Sequence, residues 1–313
     1  MKKPINKWAS LKQPALIISE GNHIDKGVLY MLLASLLFAI VGAFAKLLSR
    51  EMPSVEVVFF RNFVSFLFVI ATIYKYPIKQ GGGKLWLLVF RGTMGLLGVL
   101  AFFYNIAHIS LADAMTFSRT SPIWTAIFAY MFLGEKISKK GWIAIFIGFL
   151  GVVFIMKPSG FSFSKTDLIG IFSGVAAALA YTSVRELRNY YDARIIVLSF
   201  MFMGSLFPAL FMWISNYYYI PSLDFISAKF VLPSGISWLY ILLLGIFAAL
   251  AQIFMTKAYG ATKAGIVGAS SYAVILFSIF IGVALGDALP DLLGAFGIIL
   301  VVIGGILVAK GKE

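Results

Sequence analysis

The stretch FSRTSPIWTAIFAYMFLGEKISKK, Phe117–Lys140, decides how this chain is read. Most of it is apolar, yet Arg119 and Pro122 stand near its start, and it ends on a glycine, an acid and three lysines. Slid along the chain by 152 residues, it meets a weak copy of itself. Ser118 falls on Ser270, Ile123 on Ile275, Phe128 on Phe280, and Leu133-Gly134-Glu135 on Leu285-Gly286-Asp287. One more residue of offset brings Gly141 onto Gly294, Gly151 onto Gly304 and Lys157 onto Lys310. Ordered matches over some forty residues point to an internal repeat.

The rest of the chain sets the solvent. Of 313 residues, 61% are hydrophobic and 12% charged, against roughly 45–50% and about 25% in a soluble domain. The excess apolar surface belongs in a bilayer. A crossing helix needs about 20 apolar residues. Ten candidates appear: 28–48, 55–74, 85–107, 113–133, 142–156, 168–187, 195–215, 236–256, 264–285 and 292–309. Turn and charge signals separate them, among them Gly81-Gly82-Gly83-Lys84 and Lys157-Pro158-Ser159-Gly160,.

Basic residues orient these segments. Connections on one side, both termini included, hold seventeen lysines and arginines, and those on the other hold Arg50, Lys157, Lys165 and Lys229. The bias alternates with every crossing and predicts cytoplasmic N- and C-termini. It also answers the net charge of +13. That charge is spread over cytoplasmic loops rather than gathered on one face, so no nucleic acid is expected as a partner. Cysteine is absent and there are two histidines, so neither a disulfide framework nor a metal site is expected, and no cofactor. The first 26 residues are polar and basic without an apolar core, which argues against a cleaved signal peptide,.

Five crossings per repeat is an odd number, so the second copy must enter the membrane from the opposite side. The charges agree: Glu135 leads into lysines, whereas Asp287 leads to Asp291 and no lysine. The expected architecture is an all-α membrane protein of ten transmembrane helices in two inverted five-helix repeats. Its parts are a tail over 1–26, repeats over 27–157 and 168–309, a linker over 158–167, and a short tail over 310–313. Inverted repeats typify secondary transporters, with substrate near the midplane between the halves. They also build channels, so a channel or a structural membrane subunit stays open as an alternative.

Three groups of residues carry a resemblance to a known family: Leu111-Ala112-Asp113-Ala114, Thr120-Ser121-Pro122 and Phe132-Leu133-Gly134-Glu135-Lys136, with Gly141, Gly148 and Gly151 after them. With these the chain resembles the EamA-type branch of the drug/metabolite transporter superfamily, from Lys26 to Lys310. The resemblance implies a ten-helix permease of the inner (plasma) membrane, with two five-helix repeats, for a small-molecule substrate; it does not imply which one. Arg119 departs from the family's pattern, where an apolar residue is usual.

Arginine inside a membrane is costly, roughly 2.5–3.5 kcal/mol at a helix centre. Arg61, Arg91 and Arg119 each lie about six residues inside a segment, a depth of roughly 9 Å. Arg119 is the sharpest of the three. Pro122 frees a backbone carbonyl one turn back, a defect tolerated where protein or a cavity surrounds it. Asp113, six residues away, is out of register for a partner on the same helix face. An arginine without a carboxylate is available to a ligand carboxylate or phosphate. The candidate substrate-binding set is Arg119, Arg61 and Arg91 with Trp124, Tyr104, Asn105, Tyr181, Gln252, Ser271 and Tyr272. The acids Glu56, Asp113, Glu135, Asp167 and Asp287 all fall near segment ends, so no proton site is assigned. Arg185 and Glu186 read as part of a local charge pair.

Other features have plainer readings. Glycines at Gly92, Gly95 and Gly98, at Gly148 and Gly151, and at Gly297, Gly304 and Gly305 suit close helix packing in lipid or pairing of subunits; a monomer and a homodimer are both open. Trp8, Trp86, Trp142, Trp238 and Tyr217–Tyr219 read as interfacial anchors. Tyr191-Asp192 and Gly286-Asp287 partly match the paired aspartates of intramembrane proteases, but orientation puts them on opposite sides. No catalytic motif is present, and no enzyme is expected.

Overall fold

Apolar side chains cover the outside of this protein at helical spacing. In the computed structural model, Leu29, Leu33 and Leu36 are exposed on one helix, Phe63, Leu67 and Ile70 on the next, and Phe296, Ile299, Ile303 and Leu307 on the last. Steps of three and four place each set on one face. Polar groups lie inside: Glu56, Arg61, Asn62 and Ser65 of the second helix are all buried. This inside-out arrangement is stable only against hydrocarbon.

The structure describes residues 26–78, 82–133, 138–156, 164–187, 190–261 and 270–310. These form α1 (Lys26–Leu48), α2 (Ser54–Lys75), α3 (Leu85–His108), α4 (Leu111–Ser118), α5 (Ser121–Leu133), α6 (Lys139–Met156), α7 (Lys165–Leu187), α8 (Ala193–Ser215), α9 (Ser237–Ala261), α10 (Ala273–Ala284) and α11 (Leu292–Lys310). Among the described residues there is no strand. Six helices (α1, α2, α3, α7, α8 and α9) are long and apolar enough to cross a membrane. The 1–25 tail, most of the 158–167 linker, the Gly134-Glu135 pair and the first part of the 264–285 segment lie outside the described residues.

Two segment readings change. The 113–133 segment is not one helix but two. Proline has no N–H for the Ser118 carbonyl, Arg119 takes up the C-cap of α4, and Thr120 turns both its hydroxyl and its N–H onto the Phe117 carbonyl. The 142–156 segment begins earlier, at Lys139, because Ser138 caps the helix by accepting the Gly141 N–H at 3.1 Å. Exposed Lys139 and Lys140 belong to its first turn.

The principal packings pair up. α1 lies on α9 and α3 on α7; α2 lies on α9 and α8 on α3; α1 lies on α10, and α7 on α5 and α4. α2 packs on α8, α6 on α11, and α4 on α10. Treat α4 and α5 as one unit and exchange α1, α2, α3, α4/α5 and α6 for α7, α8, α9, α10 and α11. The first three pairs of packings then exchange with each other, and the last three packings map onto themselves.

Glycine permits one of these contacts directly. A Cβ on Gly151 would lie 2.6 Å from the Gly297 carbonyl oxygen, and one on Gly304 would lie 2.6 Å from the Gly148 nitrogen. The glycine faces of α6 and α11 are thus used on each other within one chain.

Candidate functional site

Three arginines meet at the centre of the bundle. Arg61 of α2, Arg91 of α3 and Arg119 at the α4–α5 break line one cavity, together with Tyr181 of α7, Phe200 of α8 and Gln252 of α9. The cavity is small, about 70 Å³.

Local sequence explains each placement. On α2, Asn62 caps the Val58 carbonyl with its amide nitrogen at 2.8 Å and accepts Arg61 Nη1 with its oxygen at 2.8 Å. Its amide packs where a Cβ on Gly204 would go. So α8 and Asn62 together fix the Arg61 stem. The Arg91 guanidinium lies over Gly95, where a Cβ would collide with it and would stand 2.8 Å from the Phe200 ring. One turn of small residue therefore makes the room that Arg91 fills. The α4–α5 break carries Arg119 onto the cavity wall, with its guanidinium carbon 5.6 Å from the Phe38 centroid.

Aromatic rings take the place of counter-charges. The Arg61 carbon stands 5.4 Å from the Phe200 centroid and 5.9 Å from Phe103, and Arg91 stands 5.0 Å from Phe200. Such contacts supply about 2 kcal/mol when desolvated, against a burial penalty of several kcal/mol per ion. Arg61 is 2% exposed and Arg91 3%, yet the Nε of each lacks a hydrogen-bond partner. The Gln252 Oε1 atom is in the same condition. Among the described residues, the ion pairs are Lys46–Asp287, Lys84–Glu186, Lys165–Asp224 and Arg194–Asp192, and none involves these arginines.

Of the ten residues singled out by sequence, Arg61, Arg91, Arg119, Tyr181 and Gln252 line the cavity. The other five are placed elsewhere. Tyr104 donates its hydroxyl to Asp224 at 3.2 Å and stacks on His108. Asn105 donates to the Thr166 carbonyl at 3.0 Å, tying α3 to the start of α7. Trp124 packs edge-on to Phe149, 4.9 Å between centroids, in the α5–α6 layer. The Ser271 carbonyl accepts from Ser35 at 3.5 Å, and the Tyr272 ring is buried in the core against Gly305. Phe38, Phe103 and Phe200 were not singled out, although they shape the site.

Polar contacts close both ends of the bundle. At the end where α1 finishes, Asp287 binds the Lys46 ammonium with one oxygen and accepts the Leu111 N–H at 3.0 Å with the other. Lys46 also reaches the Ile109 carbonyl at 3.4 Å, and Arg50 the Leu285 carbonyl at 3.1 Å. Gly286 makes this turn possible: its φ of +97° is open to glycine,. At the opposite end, Lys84 bonds Glu186 at 2.6 Å, which holds its ammonium above the ordinary lysine range. Glu186 thus pairs across to the α2–α3 turn, while the side chain of Arg185 lies outside the described residues. Arg194 donates to the Tyr76 carbonyl at 2.6 Å, and Tyr191 to the Gly83 carbonyl. Buried Glu56 accepts the Val231 N–H at 2.9 Å and fastens the α8–α9 connection to α2, away from the cavity.

Residues 25–157 match the model of the EamA-like transporter family. Over 295 residues the chain is 37% identical to an uncharacterized transporter of Helicobacter pylori, covering 92% of this chain and 96% of that one. It is 30% identical over 292 residues to the pseudopaline exporter CntI of Pseudomonas aeruginosa, covering 93% and 98%. A solved crystal structure, 21% identical, superposes with a TM-score of 0.59 over 92% of this chain and 98% of that one, a likeness of fold.

Proposed function

We propose that this chain, which belongs to the EamA-like transporter family of the drug/metabolite superfamily, is a secondary transporter that moves a small metabolite bearing an anionic group across the inner membrane by alternating access. One observation carries the reading. Three arginines, Arg61 and Arg91 buried and Arg119 half-buried, converge on one cavity, and none of the ion pairs among the described residues involves them. Buried cations at such depth are expensive, and a site retains them where they bind or move something charged. An amino-acid-like solute, another carboxylate or a phosphate ester all belong to this class. One of the relatives is named as an exporter of pseudopaline, which suits outward movement of a polar metabolite.

The exchange symmetry of the packings supports ten crossings in two inverted repeats, 27–157 and 168–309. With cytoplasmic termini, the Lys46–Asp287 end faces outward and the Lys84–Glu186 end faces the cytoplasm. Ligand pockets for drug-sized molecules run to roughly 300–1,000 Å³. A cavity of about 70 Å³ is too small for such a molecule, and the bundle must open further to admit a metabolite.

The test is a melting-temperature screen of purified protein with amino acids, nucleotides, vitamins and cationic drugs. Each hit is repeated in Arg119→Gln and then measured by counterflow in proteoliposomes. A carboxylate or phosphate hit that is lost in the variant and shows saturable counterflow is expected. A cationic hit indifferent to the variant would overturn the reading, and non-saturating flux would make the protein a channel.

A further inference from the structure

Resting on that reading, we infer that the ligand carries at least two negative charges, as a di- or tricarboxylate or a phosphate ester, and that a zwitterion of zero net charge is not the solute bound here. The cations fall into two groups by the ring each one faces. Arg61 and Arg91 share Phe200, and Arg119 stands over Phe38. Three guanidinium groups in one lining call for two anionic charges, on two groups or on one group with several acceptor oxygens. A guanidinium grips such groups through paired N–H donors. Arg61 and Arg91 each still hold an unpartnered Nε at 2% and 3% exposure, so donors remain to be used.

The lining also argues against an ammonium. It contains no acid among the described residues. The ring faces that could hold a cation at Phe38, Phe103 and Phe200 are already turned to guanidinium groups. An amino acid's ammonium would therefore meet three like charges with no carboxylate in the lining to offset them, in a medium where charges interact several times more strongly than in water. A single carboxylate would leave two of the three uncompensated. Val41, Phe102 and Met115 of the same lining offer apolar wall for a carbon skeleton, and Gln252 offers its one free acceptor to a ligand hydroxyl or amide N–H.

Full-length protein purified in detergent tests this at fixed ionic strength, with the melting midpoint followed against acetate, L-alanine, succinate, citrate, inorganic phosphate and glycerol 3-phosphate. Saturable stabilisation is expected from the carboxylates of higher charge or from the phosphates, and none from acetate or alanine at the same millimolar concentration. The succinate and citrate arm separates carboxylate ligands from phosphate ligands. Arg61→Gln and Arg91→Gln should each weaken the effective probe about ten- to a hundredfold, as expected for loss of a charged hydrogen bond. The comparison among probes on unaltered protein stands even where a variant fails to fold. If acetate or alanine stabilises as well as citrate in an Arg119-dependent manner, the two-charge inference is overturned and the anionic reading survives. If only cations stabilise, both fall. If none of the anions stabilises, the inference is overturned, and counterflow of a labelled monocarboxylate then decides the anionic reading separately.

Discussion

The Arg61 guanidinium carbon sits 5.4 Å from the centroid of Phe200, and each is the eighth residue of its helix, α2 and α8. These two helices pack on each other, so the exchange that relates the halves swaps a cation for an aromatic ring at one meeting point. A pairing of matched positions has become a cation–π interaction, and Arg91 uses the same ring. Phe200→Leu keeps an apolar side chain but removes the ring. It should destabilise the protein by about 1–2 kcal/mol for each desolvated cation–π interaction it abolishes, lower the melting midpoint by several degrees, and weaken anion binding. Melting and binding measured together check this; a variant unchanged in both would remove Phe200 from the account of the site.

That ring was not legible in the sequence, and the reason is physical. The chain has 30 phenylalanines, and in lipid an outward phenylalanine and an inward one have the same hydropathy. Phe202, two residues along α8, is exposed while Phe200 is buried. Charge is a sharper signal because burying it needs a reason, and Arg61, Arg91, Arg119, Tyr181 and Gln252 do meet at one cavity. Trp124 shows where spacing misleads. It lies close to Arg119 in sequence, but the break at Thr120 puts it on a separate helix, α5, where it packs on Phe149 rather than on the cavity. Tyr104 and Asn105 have the right depth in α3, but depth does not fix a face. The Lys46–Asp287 pair joins residues 241 apart in sequence, which no local pattern can show.

Asp287 is expected to hold one end of the bundle closed. It joins Lys46 at the end of α1 to the first N–H of α4, and both side chains of the ion pair are largely buried, 17% and 14% exposed. Asp287→Asn leaves Lys46 without its charged acceptor, a loss of about 1.5–3 kcal/mol. Lys46→Met, alone and combined with Asp287→Asn, completes a double-mutant cycle. The two single changes should cost less in combination than their sum. The chain contains no cysteine, so Ser118→Cys gives a background-free label on the cavity wall, and its modification should quicken in Asp287→Asn. Additive losses with no change in labelling would show that the pair does not hold this end.

The α6–α11 seam makes an opposite demand. There, bulk alone should destabilise. Gly151→Leu places its side chain against the Gly297 carbonyl and the Val301 nitrogen, 2.6 and 2.7 Å from the first added atom. Backbone cannot give way as a side chain can, and overpacking of this kind typically costs about 1–3 kcal/mol or more. The melting midpoint should fall sharply. Gly286→Ala differs in cause: nothing lies within 4 Å of its Cβ, so its cost is the left-handed backbone alone, roughly 1–2 kcal/mol. Equal tolerance of leucine at Gly151 and alanine at Gly286 would contradict the close crossing.

Pro122 offers a case in which stability and function should part. Its missing N–H leaves the Ser118 carbonyl without a helical partner, and the turn that follows carries Arg119 to the cavity wall opposite Phe38. Pro122→Ala restores the donor and removes a penalty of about 3 kcal/mol against continuous helix. α4 and α5 are then free to fuse, which rotates Arg119 off the wall. The melting midpoint should hold or rise, while the anion that stabilises the unaltered protein should bind about tenfold more weakly, the scale of one lost charged hydrogen bond. Circular dichroism reports the gain in helix, and the melting shift with added anion reports the site. A variant that gains helix yet binds as before would place Arg119 outside the binding site; one that loses stability would show that the break is required by packing against α7, where a Cβ added to Gly174 would lie 2.8 Å from the Phe117 carbonyl oxygen.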